Sequence, residues 1–287
     1  MAGAILVGVD GSEQSVRALD WAVAEARLRG TSALELLFAV GVPALDLPLT
    51  GWYEQAAGHA RDVLAENAER IRGLGLTVET TVVPEVAAPA LINRAEQAAL
   101  TVVGLRGRGG FPGLRIGSVA YQVAAHAPGP VAVIGPEQPN GRPESEVVCG
   151  IDGSDQAQGA IAAAMEAASL RGRPLRVVHA WRHPSALGPG DMLSLVYDVR
   201  LEQQEQEAQL AEAMAGWSAK YPDVRVITEV LHDSPVRALT EASAGSELLV
   251  VGPRGRRGFP LLALGSVAHG VLHHASCPVL IARRRPA

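Results

Sequence analysis

The chain has 287 residues, 48% of them hydrophobic and 19% charged, with a net charge of −5. That length suits two globular domains, the composition excludes a disordered chain, and the acidic balance argues against broad nucleic-acid binding. No apolar run reaches the roughly 20 residues of a membrane helix, and no basic-then-apolar leader opens the sequence. Cys149 and Cys277 lack metal-ligand spacing and point to a reducing, cytoplasmic setting. Lys220, the one lysine, lies in no motif, which excludes a P-loop and a Schiff-base enzyme.

In chain order, Ala4–Val9 reads as a buried strand ending in Asp10-Gly11-Ser12. From Glu13, apolar residues at Val16, Leu19, Val23 and Ala26 recur at helical spacing until Arg29-Gly30 stops them. Ala33–Val40 is a second strand, and a proline-containing loop over 43–50 follows it. A helix is expected over 52–72, a strand over 76–83, a helix over 89–98 and a strand over 100–104. A glycine-rich loop, 107–117, leads to a helix over 118–126 and a strand over 131–134. The second half repeats this order from Glu146, with a long helix expected over 192–220. Alternating strands and helices, the strands apolar throughout, imply a parallel sheet covered on both faces. Each half is therefore expected to be a doubly wound α/β domain of five strands in the order 3-2-1-4-5.

The repeat also appears in the motifs themselves. Val7-Gly8-Val9-Asp10-Gly11-Ser12 returns as Cys149-Gly150-Ile151-Asp152-Gly153-Ser154. Val103-Gly104-Leu105-Arg106-Gly107-Arg108 returns as Val251-Gly252-Pro253-Arg254-Gly255-Arg256, and Gly117-Ser118-Val119 as Gly265-Ser266-Val267. The offset is 142 residues at the first motif (152 − 10) and 148 at the second (252 − 104), which makes the unit a whole domain, duplicated. The boundaries read as 1–136 and 146–287, with a Pro/Gly-rich linker over 137–145.

Ligands of an open α/β sheet bind beyond the carboxyl ends of the strands, where the winding reverses. In the order 3-2-1-4-5 that crevice lies between strands 1 and 4, and the repeated motifs are the tails of those strands. The spacing G-x2-G-x9-G-S (Gly104, Gly107, Gly117, Ser118) recurs as Gly252, Gly255, Gly265 and Ser266. Missing Cβ atoms let amides approach an anion, and a helix N-terminus adds partial positive charge, so the pattern suits a polyphosphate. Ser118 and Ser266 can cap the helix or offer a hydroxyl to phosphate. Asp10 and Asp152 suit either a ligand contact or an Asx-turn, and Arg108 and Arg256 either a phosphate contact or a solvated loop.

These residues resemble the tandem-domain universal stress proteins, in particular the ATP-binding branch of that family. The resemblance implies one ATP per domain, two per chain, accompanied by Mg2+. It implies a first site lined by Gly8, Asp10, Ala39, Val103, Gly104, Gly107, Arg108, Gly117, Ser118 and Val119. The second would comprise Gly150, Asp152, Ala180, Val251, Gly252, Gly255, Arg256, Gly265, Ser266 and Val267. Two departures stand out: Pro253 replaces Leu105, removing one loop amide, and Arg257 replaces Gly109.

No Ser-His-Asp arrangement appears. His126 and His274 end repeat-equivalent helices, and His232-Asp233 is an odd polar pair that the first half replaces with Pro84-Glu85. Trp52, Trp181 and Trp217 read as packing, with Trp181 also placed to border an adenine; Arg283-Arg284-Arg285 reads as a solvated tail. Three functions stay open: a nucleotide-binding stress regulator acting through protein partners, a slow ATPase or phosphotransferase, and an interaction module with degenerate sites. The short apolar fifth strands, 131–134 and 279–281, need covering, most simply by one another in an intrachain pseudo-dimer. Whether two chains then form a homodimer is left open.

Overall fold

The computed structural model describes residues 3–41, 50–109, 115–136, 145–154, 157–182, 199–256 and 263–283. The loop after the second strand, most of the linker, both loop centres (110–114 and 257–262), Arg257 and the start of the long helix lie outside the described residues.

The first half runs β1 (Ile5–Gly8), α1 (Glu13–Arg29), β2 (Ala33–Ala39), α2 (Thr50–Arg70), β3 (Thr77–Val83), α3 (Ala87–Arg94), β4 (Leu100–Gly104), α4 (Ser118–His126) and β5 (Val131–Ile134). The second runs β6 (Val147–Ile151), α5 (Ala157–Arg171), β7 (Leu175–Trp181), α6 (Val199–Met214), α7 (Trp217–Lys220), β8 (Val226–His232), α8 (Pro235–Ala242), β9 (Leu248–Val251), α9 (Ser266–His274) and β10 (Val279–Ile281).

The chain forms two compact units: residues 1–138 with 278–287, and residues 139–277. The first carries the strand order β3-β2-β1-β4-β5, parallel throughout, as the alternation implies. Beyond β5 the unit adds β10, antiparallel, with Val279 opposite Val133 and Ile281 opposite Val131. This pairing satisfies the edge amides of β5 and is why the last residues group with the first unit. Arg283 anchors the segment: its guanidinium donates to the carbonyls of Ala124 and Ala125, each at 2.7 Å, and of Ala127. A cation on the last carbonyls of α4 is favoured by the helix dipole. Arg283 is thus a helix cap and not part of a solvated tail.

In the second unit the order is β8-β7-β6-β9, again parallel. Both cores are aliphatic, with Ile5, Leu6, Leu36 and Val102 in one and Val147, Val177, Leu249 and Ile161 in the other all fully buried. Strand centres are apolar on both faces because helices cover both. The long predicted helix over 192–220 is described as two, α6 and α7, separated at Gly216, whose φ of +82° suits glycine. Trp217 and Trp181 pack, Trp181 being 7% exposed, but Trp52 is 42% exposed and is not a core residue.

Candidate functional site

β1 and β4 lie side by side, with Val7 opposite Val102, and their tails form the crevice at the winding reversal. The chain leaves β1 through Asp10 and turns at Gly11, whose φ of +74° is a left-handed conformation that favours glycine. Ser12 then caps α1, its hydroxyl accepting from the Ser15 amide at 3.2 Å. Gly153, at φ +73°, makes the same turn in the second unit. The Asp-Gly-Ser motif is therefore a strand-to-helix turn that fixes where its aspartate points.

The aspartate does two things at once. One Asp10 oxygen accepts from the Ser12 amide at 2.9 Å, an Asx-turn, while the other reaches across the crevice to the Arg108 amide at 2.9 Å. Asp152 accepts from the Ser154 amide (3.1 Å) and hydroxyl (2.7 Å), and its other oxygen accepts from the Arg256 amide. Each carboxylate thus clasps the tail of strand 1 to the loop after strand 4. Burial alone would raise the Asp10 pKa, but donors from Ser12, the Arg108 amide and Ser15 outweigh it and hold the group below its ordinary value.

This clasp explains Gly107 and Gly255. A Cβ on Gly107 would lie 2.3 Å from an Asp10 carboxylate oxygen, and one on Gly255 would lie 2.4 Å from Asp152. The anion that these glycines admit in this structure is the protein's own carboxylate. Gly104 has a different reason: a Cβ there would meet the Gln14 backbone at 2.9 Å, where α1 packs against the strand. Gly8 and Gly150 make room for Leu91 and Leu239. Val103 and Val251, both 3% exposed, sit on those same two glycines, so they shape the crevice floor from beneath.

Gly117 and Gly265 close the loops. Each donates its amide at 2.8 Å, to the carbonyl of Leu105 and of Pro253 respectively. A Cβ on Gly117 would come within 3.8 Å of the Gly107 nitrogen, and the same pairing recurs between Gly265 and Gly255 at 3.6 Å. Both glycines are extended N-cap residues, with no side chain capping α4 or α9. Ser118 and Ser266 are exposed first residues of those helices and do not cap them. Val119 and Val267 follow, half-buried. A helix N-terminus without a side-chain cap, beside an exposed glycine loop, attracts an anion.

Pro253 costs less than its sequence position suggests. In the first unit the corresponding Leu105 amide donates to the Ile134 carbonyl at 2.7 Å, so it faces the sheet and not the crevice. The proline removes a strand-to-strand bond and leaves the loop donors in place.

Arg108 folds back over the Asp-Gly-Ser turn. Its guanidinium lies 2.7 Å from His59 Nε2 on α2. Arg256 reaches Gln209 on α6 at 3.2 Å. Both arginines are exposed and lie over their turns. Neither His59 nor Gln209 was legible as a site residue, because α2 and α6 share no motif.

Ala39 and Ala180, half-buried, sit near the ends of β2 and β7, one strand away from the crevice. Beyond Ala180 the second unit carries a network of its own. His179 bridges the Ile151 carbonyl and Gln206, Trp181 Nε1 donates to Gln203 at 3.1 Å, and His232 stacks on Trp181 at 4.4 Å. The strand register matches His179 to Phe38, so the first unit has an apolar ring where this network has its histidine. His126 and His274 lie exposed at helix ends.

Two doubly wound units, each with an aspartate clasp and a glycine loop opening a helix at the switch point, define a tandem α/β protein. The universal stress protein family model matches residues 1–135 and 145–283, and the chain belongs to that family. It is 37% identical over 308 residues to universal stress protein Rv1996 of Mycobacterium tuberculosis, covering 97% of this chain and 94% of the relative. It is 36% identical over 295 residues to universal stress protein Rv2005c of the same organism, covering 98% and 97%. A crystal structure of a universal stress protein from Archaeoglobus fulgidus has the same fold, with a TM-score of 0.71 at 19% identity, covering 99% of this chain and 97% of that one. No described helix is long and apolar enough to cross a membrane.

Proposed function

We propose that each unit binds one adenine nucleotide, as ATP with Mg2+, and that the chain is a nucleotide-responsive stress regulator acting through protein partners. The observation that carries this reading is the twofold assembly of one anion-receiving arrangement. In both units a glycine loop, a helix start without a side-chain cap and a fixed aspartate meet at the switch point. Gly107, Ser118 and Val119 would present amides to the phosphates, with Gly104 and Gly117 holding the loop against the sheet and Arg108 swinging in from His59; Gly255, Ser266, Val267 and Arg256 would do so in the second unit, with Gly252 and Gly265 holding its loop. Gly8, Asp10 and Ala39, and Gly150, Asp152 and Ala180, would face the nucleoside. The aspartate and serine oxygens are hard donors of the kind Mg2+ prefers. The buried thiols Cys149 and Cys277 fit a reducing cytoplasm.

Binding is favoured over turnover. Asp10 already accepts several hydrogen bonds and is held below its ordinary pKa, which makes it a poor general base.

Substituting Ser118 and Ser266 with Asp tests the reading. An acidic first-turn residue favours the helix but repels phosphate. In calorimetric titration with ATP and Mg2+, the nucleotide-free wild type should take up two per chain, each single variant one and the double variant none, all with native circular dichroism. Uptake by the folded double variant equal to the wild type would overturn it.

A further inference from the structure

Three of the chain's eight histidines, His269, His273 and His274, lie on one nine-residue helix of the second unit, α9. The repeat divides them into two kinds. Both α4 and α9 run nine residues from a serine, so Tyr121 matches His269, Ala125 matches His273 and His126 matches His274. A histidine on the last residue of the helix is thus common to both units, as the helix dipole favours. His269 and His273 belong to the second unit alone, and His269 lies mid-helix, where the dipole supplies no reason for it.

The pair has the geometry of a chelate. Residues four apart share one face of a helix. The two imidazole rings are centred 4.6 Å apart and tilted by 42°. His269 is exposed and His273 half-buried, on the flank of a helix anchored by the buried Ala268, Val271 and Leu272. The backbone beneath them is held at both ends: the His269 amide donates to the Gly265 carbonyl at 2.9 Å and the Ala275 amide to the Val271 carbonyl at 2.8 Å. Between the two histidines Gly270 lets α9 press against α8, where a Cβ would lie 2.5 Å from Val236.

Histidine is a weak helix former, and an exposed helical position such as 269 is served better by Ala, Glu or Arg. Two imidazoles one turn apart therefore need a reason beyond the helix itself. On a tetrahedral Zn2+ each imidazole nitrogen lies about 2.0–2.1 Å from the ion, which sets the two nitrogens about 3.3 Å apart. Rings centred 4.6 Å apart reach that separation by turning about their side-chain bonds, with the helix unmoved. Two histidines four apart on one helical face are also the spacing by which a helix offers two ligands to zinc. No group of three or more His, Cys, Asp or Glu among the described residues is placed to hold an ion, so the protein supplies two ligands here and water the others.

We propose that His269 and His273 form a bidentate site on the second unit for a divalent transition-metal cation of the zinc class. Imidazole suits zinc, nickel and copper, whereas Mg2+ and Ca2+ take oxygen ligands. The site does not rest on the nucleotide reading, since neither imidazole is among the residues assigned to phosphate or nucleoside.

The test is equilibrium dialysis of the nucleotide-free full chain against Zn2+ alone, at pH 7.5 in a buffer that does not bind zinc. One saturable Zn2+ per chain is expected, unmoved by a hundredfold excess of Mg2+. His269→Ala and His273→Ala should each weaken uptake at least tenfold at native circular dichroism, and His274→Ala should leave it within twofold of the wild type. Because His269 is exposed, His269→Ala decides the matter if His273→Ala does not fold. No saturable uptake by the wild type, displacement by Mg2+, undiminished uptake by folded His269→Ala, or an equal loss in His274→Ala would each overturn the proposal.

Discussion

Replacing Gly107 with Ala probes the aspartate clasp directly. The new Cβ would lie 2.3 Å from an Asp10 oxygen, well inside any real contact, so the carboxylate must withdraw from the Arg108 amide. A hydrogen bond to a charged group contributes about 1.5–3 kcal/mol, and the half-exposed setting places the loss near 1–2. Gly107 does not have positive φ, so alanine itself fits the backbone. Once Asp10 has been replaced by Ala, nothing obstructs the Cβ, and Gly→Ala should then stabilise by about 0.4–1 kcal/mol through the unfolded chain. The same substitution is thus expected to change sign with its partner, a coupling of about 2 kcal/mol in a double-mutant cycle. Urea denaturation of the four full-length chains reads it. Equal costs of Gly107→Ala in the two backgrounds would refute the clasp as the reason for the glycine.

Because the folded Asp10 pKa lies below its ordinary value of 3.8, its contribution to stability is complete above that value and is lost as pH falls below it. Urea midpoints taken between pH 6 and pH 3 should therefore drop further for the wild type than for Asp10→Asn. Burial pushes the Cys149 thiol up to about 12 and the Cys277 thiol up to about 11, so neither is a thiolate at pH 8. A thiol reagent at pH 8 should label no cysteine in the native chain and two after denaturation; native labelling would contradict the burial. A Cβ on Gly270 would lie 2.5 Å from Val236, and overpacking of about 1–3 kcal/mol should outweigh the about 1 kcal/mol that alanine gains in a helix. Val236→Ala should reverse that sign in thermal melts.

The sequence made the doubly wound order and the position of the loops legible because apolar runs and glycines punctuate both halves in the same order. It did not reveal why each glycine is there. A missing Cβ marks a close approach without naming the atom that approaches, and for Gly107 that atom belongs to Asp10. Pro253 looked like a lost ligand donor because spacing does not show that the Leu105 amide serves the sheet. His59 and Gln209 were hidden because α2 and α6 share no motif, whereas Trp181 and His232 stood out singly and only the structure shows that they stack on one another. Arg283 reads as tail until the pairing of β10 with β5 carries it to the end of α4.

The central claim is that both loops are working nucleotide sites. Denaturing freshly purified protein and identifying and counting the released nucleotide tests it most directly. The account expects close to two adenine nucleotides per chain, since the Pro253 loop keeps its donors. Release of none, together with no uptake of added ATP and Mg2+ by the folded chain, would contradict it and leave a universal stress fold without nucleotide sites.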